Sequence, residues 1–192
     1  MDEKFWNDRY ESKETQWDLG QVSPPLKSYI DSLHEKEVNI LIPGCGNAYE
    51  AEYLLQQGFA NITLIDIAPV LVEALKSKFN SDEKLKIIHA DFFELTGQYD
   101  LILEQTFFCA LQPDLRNRYV NKMFDLLKPG GKLAGVLFDT TFENAGPPFG
   151  GNKNEYQALF NKKFTINTME LCKNSFIKRQ GTELIFEVEK PL

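Results

Sequence analysis

The sequence predicts a single α/β domain: a mostly parallel sheet of seven strands, helices on both faces, and an antiparallel C-terminal edge. Up to residue 138, short runs rich in Ile, Leu and Val alternate with amphipathic stretches. This alternation is typical of strands buried on both faces and joined by crossover helices. The chain has 192 residues, of which 43% are hydrophobic, and this suits one hydrophobic core.

Five buried strands form the parallel part of the predicted sheet. They are Val38–Pro43, Ile62–Asp66, Leu85–His89, Tyr99–Leu103 and Lys132–Phe138. Right-handed crossovers connect such strands in almost all proteins. The sequence therefore predicts that all five carboxyl ends lie at one edge of the sheet.

Helix start and stop residues separate these strands. Ser23 and two prolines begin a helix ahead of the sheet, Asn47 is the expected N-cap of the first crossover helix, and Gly58 ends that helix. Pro69 begins the next helix. A further helix runs from about Pro113, carries Val120, Met123, Phe124 and Leu127 on its apolar stripe, and stops at the sequence Lys-Pro-Gly-Gly of residues 128–131.

The alternation breaks after Phe138. A segment rich in Gly and Pro, Glu143–Asn152, leads to a short helix around Glu155–Phe160 and then to strands at Phe164–Leu171 and Glu183–Val188. We expect these last two strands to form the antiparallel edge. The domain then divides into helical additions at 1–37, an α/β core at 38–138, and a substrate loop with C-terminal strands at 139–192.

Composition excludes several classes of function. A formal charge of −7 argues against a nucleic-acid partner, because such affinity comes mainly from basic side chains. No run reaches the ~20 apolar residues of a membrane span, and the N-terminus lacks the pattern of a signal peptide. Three widely spaced cysteines and two histidines give no metal-ligand spacing. We expect a reduced, cytoplasmic protein without a metal, as a monomer or a weak homo-oligomer.

The first strand-to-helix turn, Ile42–Ala48, is the strongest local signal for a binding site. Gly44 and Gly46 allow a sharp bend and a close ligand, and the following helix offers free N–H groups to an anion. Asp66, twenty residues after Gly46, ends the second strand, where a carboxylate accepts hydrogen bonds from ribose hydroxyls. Tyr49 occupies the place of the third glycine of a dinucleotide fingerprint, which weakens a pyrophosphate site. The structural alternative is a tight turn with a helix-capping Asp66.

Polar groups also follow the third and fourth strands. Asp91 and Phe92 suit an adenine amine and an adenine face, although a turn Asp and a core Phe are the alternative. Glu104 and Gln105 are placed to receive an ammonium group. A carboxylate near Asn47, an amine, a ribose and a purine together describe an amino acid joined to a nucleoside, which is the shape of S-adenosylmethionine.

Five motifs resemble, in order, the thiopurine S-methyltransferase superfamily and especially its halide and thiol methyltransferase branch. They are Phe5–Gly20, Leu41–Leu54, His89–Phe93, Glu104–Gly131 and Gly146–Phe149. The resemblance implies a Rossmann-like class I methyltransferase fold. It also implies methyl transfer from S-adenosylmethionine to a small nucleophile, namely a thiol, a thiopurine-like thiol or a halide.

The same resemblance assigns roles to single residues. It implies an N-terminal lid over the cofactor, with Trp6, Tyr10 and Trp17, although ordinary core packing also explains these rings. Gly44, Gly46, Asp66, Asp91, Phe92 and Gln105 match the cofactor site, with Glu104-Gln105 standing where related enzymes tend to have Asp-Tyr. Arg116 matches an arginine near thiopurine substrates; a helix-surface charge beside Asp114 is the alternative.

In-line attack on a sulfonium methyl group needs positioning more than acid or base catalysis, so we predict no catalytic side chain. An apolar wall favours a reaction that cancels charge, and the predicted wall is Phe107, Phe108, Phe142, Pro147, Pro148 and Phe149. We interpret Cys45 and Cys109 as buried packing residues. The alternatives are a protein that binds the cofactor without turnover, an O- or N-methyltransferase of small molecules and, least favoured, a nicotinamide-dependent oxidoreductase.

Overall fold

The computed structural model describes residues 2–80, 82–143 and 145–192, and it confirms the predicted fold class. The described residues form one sheet whose seven strands are β1 Ile40–Pro43, β2 Ile62–Asp66, β3 Leu85–His89, β4 Tyr99–Gln105, β5 Leu127–Phe138, β6 Thr165–Leu171 and β7 Glu183–Glu189. Their order across the sheet is β3-β2-β1-β4-β5-β7-β6. Strands β1 to β5 are parallel, and β7 pairs antiparallel with both β5 and β6. The strand order reverses between β1 and β4, which is where open α/β sheets bind ligands.

Six α-helices accompany the sheet in the described part of the chain. They are α1 Glu3–Glu11, α2 Pro24–Asp31, α3 Tyr49–Gln56, α4 Pro69–Phe79, α5 Arg116–Leu126 and α6 Lys153–Phe160. Short 3-10 turns lie at Phe92–Glu94, Phe108–Ala110, Pro113–Leu115 and Ile177–Arg179. None of the described helices is long and apolar enough to cross a membrane.

Two predicted helix boundaries are wrong. The N-cap of α3 is Ala48 in a left-handed conformation, because the Asn47 side chain turns outward and donates to Asp18 instead of capping the helix. Leu127 does not belong to the stripe of α5 but begins β5. Pro129 disfavours helical backbone at the residue before it. The helix therefore ends, and the strand begins, earlier than the apolar pattern predicts.

The core consists of two layers, one on each face of the sheet. Leu41 and Ile102 point to the face covered by α5 and α6, while Ile40, Ile42 and Leu101 point to the face covered by α2, α3 and α4. Alternation along each strand produces this division. Both layers fix the strands, and the strand ends carry the candidate site.

Candidate functional site

A cavity of about 680 Å³ opens at the carboxyl edge of the parallel strands. Its size is within the range of small-molecule sites. It brings together thirteen of the predicted site residues: Trp6, Tyr10, Trp17, Gly44, Gly46, Asp66, Asp91, Phe92, Gln105, Phe107, Phe142, Pro147 and Pro148. Three predicted residues, Arg116, Phe108 and Phe149, are not part of its lining.

The turn after β1 needs glycine at Gly44 for two reasons. Its φ is +56°, a region that residues with a Cβ rarely adopt, and an added Cβ would collide with the ring of Phe107. At Gly46, with φ +51°, an added Cβ would lie 3.6 Å from the Tyr10 hydroxyl. The turn is therefore narrow, and its backbone is exposed to whatever occupies the cavity.

Asp66 lies buried at the end of β2 and faces this turn. Its Oδ1 accepts from the Ala68 amide at 3.0 Å, and its Oδ2 accepts from the Gly46 amide at 3.4 Å. Burial raises the pKa of the carboxyl group, and the amide hydrogen bonds oppose this shift. The structure thus combines the two alternatives: Asp66 fastens the turn and also lines the cavity.

At the end of β3, Asp91 and Phe92 form a second part of the lining. Asp91 accepts from the Phe93 amide at 2.8 Å and stays exposed, while Phe92 is buried with its ring centroid 5.1 Å from that of Phe107. An exposed carboxylate beside packed rings suits a flat, polar nucleobase such as adenine.

The expectation that Glu104 receives a ligand ammonium is wrong. The side chain is fully buried away from the cavity and accepts from the Phe107 and Phe108 amides at 2.8 and 2.9 Å and from the Tyr119 hydroxyl at 2.7 Å. Burial raises the pKa of Glu104 to about 7, and these three donors oppose the shift. Glu104 therefore supports the loop after β4.

Gln105 does face the cavity. Its Nε2 donates to Thr106 Oγ1 at 2.9 Å, but no described residue donates to its buried Oε1. A buried acceptor without a donor costs free energy. A ligand with an N–H or O–H group at this position would satisfy it.

Residues 2–20, which we call the cover segment, lie over the cavity. The Trp17 ring packs edge-on against the rings of Trp6 and Tyr10, at centroid distances of 5.5 and 5.8 Å. Asn7 Oδ1 accepts from the Val70 amide at 3.0 Å, and Asp18 accepts from the Tyr49 hydroxyl at 3.3 Å. These contacts hold the segment across the ends of β1 and β2.

Arg116, Phe108 and Phe149 lie beside the cavity and do not line it. Arg116 donates to the Gly150 carbonyl at 2.6 Å and lies over the Phe108 ring at 4.9 Å. Phe149 lines a neighbouring cavity of about 400 Å³. Phe108 is buried against Tyr119, so it is not part of the apolar wall predicted from the sequence.

The cysteines in the cavity lining are packing residues, as expected. Cys45 and Cys109 are buried, and burial raises the pKa of Cys109 to about 12 and that of Cys45 above its ordinary value. Burial therefore disfavours the thiolate form of both cysteines, which agrees with a packing role.

The family model of thiopurine S-methyltransferase matches residues 1–189. The chain belongs to this family. Probable thiol methyltransferase 2 of Arabidopsis thaliana is 31% identical over 159 residues, which cover 80% of this chain and 70% of that protein. Thiocyanate methyltransferase 1 of Brassica oleracea is 28% identical, covering 95% of this chain and 83% of its own length. Thiopurine S-methyltransferase of Acinetobacter baylyi is 27% identical, covering 88% of each.

Solved structures show the same fold at low sequence identity. The 1,6-didemethyltoxoflavin-N1-methyltransferase of Burkholderia thailandensis, solved with 1,6-didemethyltoxoflavin and S-adenosylhomocysteine, has a TM-score of 0.77 at 18% identity, covering 99% of this chain and 87% of that one. A TehB-like S-adenosylmethionine-dependent methyltransferase from Corynebacterium glutamicum has a TM-score of 0.69 at 18% identity, with 98% and 97% covered.

As a member of the thiopurine S-methyltransferase family, the chain is an S-adenosylmethionine-dependent methyltransferase, as predicted. The residues present fit that cofactor. Asp66 offers a buried carboxylate, Gln105 Oε1 lacks a donor in the described chain, and the Gly44–Gly46 turn lines the cavity. The part that each residue takes in holding the cofactor stays a prediction.

The β6–β7 loop, residues 172–182, was not predicted as part of the site. Lys178, Arg179 and Thr182 of this loop line the cavity, as does Phe138 at the end of β5. Glu50 of α3 also lines it, and this buried carboxylate accepts from the Ser23 amide at 3.0 Å. No periodicity marks the loop, so only the strand order, which places β7 beside β5, shows that it reaches the cavity.

Proposed function

We propose that the chain transfers the methyl group of S-adenosylmethionine to the sulfur of a small thiol. The observation that carries the proposal is the composition of the cavity end away from Asp66 and Asp91. Five residues give it an apolar wall: Phe138, Phe142, Pro147, Pro148 and the methyl-bearing Thr140. The rings of Phe138 and Phe142 meet edge-on at 5.0 Å. We call this the acceptor end.

The acceptor end also contains two cations, Lys178 and Arg179. Three hydrogen bonds already engage the Arg179 guanidinium, with Glu183, Thr106 and the Trp17 carbonyl as acceptors. Both positive charges favour an anionic acceptor, and a thiolate is one. A small thiolate, which needs contact with apolar rings more than hydrogen bonds, suits such a wall.

The proposed mechanism relies on position and exclusion of water. The cofactor supplies a methyl group that its sulfonium charge already activates. In the described part of the cavity, the acceptor end contributes neither an imidazole nor a carboxylate. A thiol with a pKa near ~8.5 is partly ionised at neutral pH, so no base is required. Phe138 and Phe142 keep water from the thiolate, and holding it in line is worth ~7 kcal/mol or more.

The relatives support a sulfur acceptor. The proteins compared above are named a thiol, a thiocyanate and a thiopurine methyltransferase. We favour the small thiol because rings and prolines bound the acceptor end. Glu104-Gln105 departs from the Asp-Tyr of both halide and thiol enzymes, so this pair does not distinguish the two acceptors. Thiocyanate and halide are kept as comparison acceptors.

Direct assay of turnover tests the proposal. Purified protein is incubated with S-adenosylmethionine and, separately, with thiophenol, thiocyanate, iodide, 6-mercaptopurine, phenol and aniline, and S-adenosylhomocysteine is quantified. We expect the highest kcat/KM with thiophenol. Asp66→Asn serves as the control, because it removes the carboxylate charge while keeping a side chain of the same size and one acceptor oxygen for a turn amide.

Two results would overturn the proposal in different ways. Turnover with phenol or aniline but not with thiophenol would make the chain an O- or N-methyltransferase. Tight binding of S-adenosylmethionine in calorimetry, with no product from any acceptor, would favour a protein that binds the cofactor without turnover.

A further inference from the structure

Arg179 connects four parts of the molecule around the cavity. Its Nη2 donates to the Trp17 carbonyl of the cover segment at 2.8 Å. Its Nη1 donates to Thr106 Oγ1 in the loop after β4 at 3.1 Å and to Glu183 Oε1 at the start of β7 at 3.3 Å. The guanidinium carbon lies 5.3 Å from the ring centroid of Phe138. Its side chain is 11% exposed.

This arrangement depends on the planar fork of arginine. Two separate nitrogens serve the cover segment and the β4 loop, while the flat face meets Phe138. A lysine ammonium is a single point charge and cannot keep this geometry on three sides. Arg179 therefore does more than balance the charge of Glu183, because its contacts require the planar shape of a guanidinium.

Thr106, the partner of Arg179 in the β4 loop, has an unusual backbone. Its φ is +63°, which is costly for a β-branched residue. Hydrogen bonds hold it there: Oγ1 accepts from Gln105 and Arg179, and Glu104 binds the two amides that follow. This conformation places Gln105 and Phe107, on either side of Thr106, in the cavity lining.

We infer that Arg179 is a positioning residue which ties the cover segment to the strained turn at Thr106, so that closure over the cofactor and the shape of the acceptor end depend on each other. The inference concerns geometry at the cofactor and does not depend on which acceptor is methylated. It is tested without an acceptor, so its failure is distinguishable from failure of the proposed function.

The β6–β7 loop keeps a second attachment to the N-terminal region. Asn174 Nδ2 donates to the Pro24 carbonyl at 3.3 Å and to Ser28 Oγ at 3.0 Å. Replacing Arg179 therefore leaves the loop anchored on α2. The expected effect is local, at Trp17 and Thr106.

Tryptophan fluorescence reports on the cover segment alone, because both tryptophans of the chain, Trp6 and Trp17, lie in it. Acrylamide quenching is measured for the wild type, Arg179→Gln, Arg179→Lys and Thr106→Val, with and without S-adenosylhomocysteine. Lys173→Gln is the matched control, since it removes an exposed positive charge from the same loop. Thermal midpoints are recorded for each variant, and quenching is compared well below them.

In both Arg179 variants we expect acrylamide to reach the tryptophans more easily with S-adenosylhomocysteine bound. We expect the dissociation constant to rise about tenfold, the loss of one hydrogen bond to a charged group. Thr106→Val should shift quenching in the same direction, and Lys173→Gln should match the wild type. Unchanged quenching and affinity in Arg179→Gln, even with a lowered midpoint, would overturn the inference. If Thr106→Val is quenched to the same extent as the wild type, the proposed coupling between the cover segment and the turn at Thr106 is wrong.

Discussion

The two ends of the cavity are built differently. The cofactor end consists of groups at or just after strand ends: Gly44 and Gly46 after β1, Asp66 at the end of β2, and Gln105 at the end of β4. The acceptor end lies at and after the end of β5 and in the β6–β7 loop. It consists of Phe138, Thr140, Phe142, Pro147, Pro148, Lys178, Arg179 and Thr182.

This difference separates two tasks. Buried parallel strands hold their ends rigidly, so the groups that meet the cofactor are fixed by the core. Irregular segments tolerate substitution, so the acceptor end can change its shape without disturbing the sheet. The account therefore predicts that cofactor affinity and acceptor preference respond to different substitutions.

The largest effect concerns Glu104, which supports the turn between the two ends. Its ordinary pKa of 4.5 rises to about 7 in the folded chain. The unfolded chain releases this proton near pH 4.5 and the folded chain retains it up to about pH 7, so stability falls as pH rises across that interval. The shift corresponds to roughly 3 kcal/mol.

Glu104→Gln should remove this dependence. Urea unfolding at pH 5 and pH 8 should show the wild type losing stability relative to the variant as pH rises. If the stability of both proteins changes equally between pH 5 and pH 8, Glu104 does not titrate in the folded chain as proposed.

At the cofactor end, Asp66→Ala should weaken S-adenosylhomocysteine binding by about 1–3 kcal/mol, because ligand hydroxyl groups lose a buried acceptor. Calorimetry checks the dissociation constant, and Asp66→Asn removes the charge while keeping one of the two acceptor oxygens that bind turn amides. The acceptor KM should not change at saturating cofactor. An unchanged dissociation constant in both variants would show that Asp66 does not contribute to cofactor binding.

A pair of glycines tests the narrow turn. Gly44→Ala and Gly58→Ala both place a Cβ at positive φ, which costs about 1–2 kcal/mol of stability. Only at Gly44 does that Cβ meet Phe107, since Gly58 has no described atom within 4 Å of it. Unfolding and kcat/KM measurements should show both variants destabilised and Gly44→Ala alone inactive. Equal activity in the two variants would contradict the close approach of Phe107.

The smallest effect belongs to the acceptor end. Phe142→Ala should raise the acceptor KM, because about 1 kcal/mol of apolar contact with the acceptor is lost. Cofactor affinity should stay unchanged. Phe149→Ala is the matched control, because Phe149 lies in the neighbouring cavity. An equal rise of KM in Phe149→Ala would restore this residue to the acceptor wall predicted from the sequence.

The sheet, and the meeting of Asp66 with the Gly44 turn at its carboxyl edge, could be predicted from the sequence for a physical reason. Strand ends in a parallel sheet converge, so Asp66 and the Gly44 turn are brought together by connectivity alone. Residues whose direction depends on packing were harder. Glu104 is one residue before Gln105 yet points into the core, and Asn47 turns to Asp18 instead of capping α3.

Arg116 and Arg179 show the limit at the acceptor end. Each has another basic residue close by, Arg118 and Lys178, so charge pattern alone does not distinguish them, and the family resemblance singled out Arg116. The structure places Arg116 against Gly150, outside the cavity, and Arg179 inside it. Whether Arg179 reaches the cavity depends on the antiparallel pairing of β5 with β7, and no local sequence signal contains that information.

We propose that methyl transfer in this chain relies on positioning, without an enzymic base. The decisive measurement is the pH dependence of kcat/KM for a thiol, divided by kcat/KM for thiocyanate. Thiocyanate stays ionised throughout, so this ratio corrects for the enzyme's own titrations. We expect the ratio to follow the ionised fraction of the free thiol and to level off above the thiol pKa. A ratio that is already level well below the thiol pKa would show that a group on the protein removes the proton, and would overturn this mechanism.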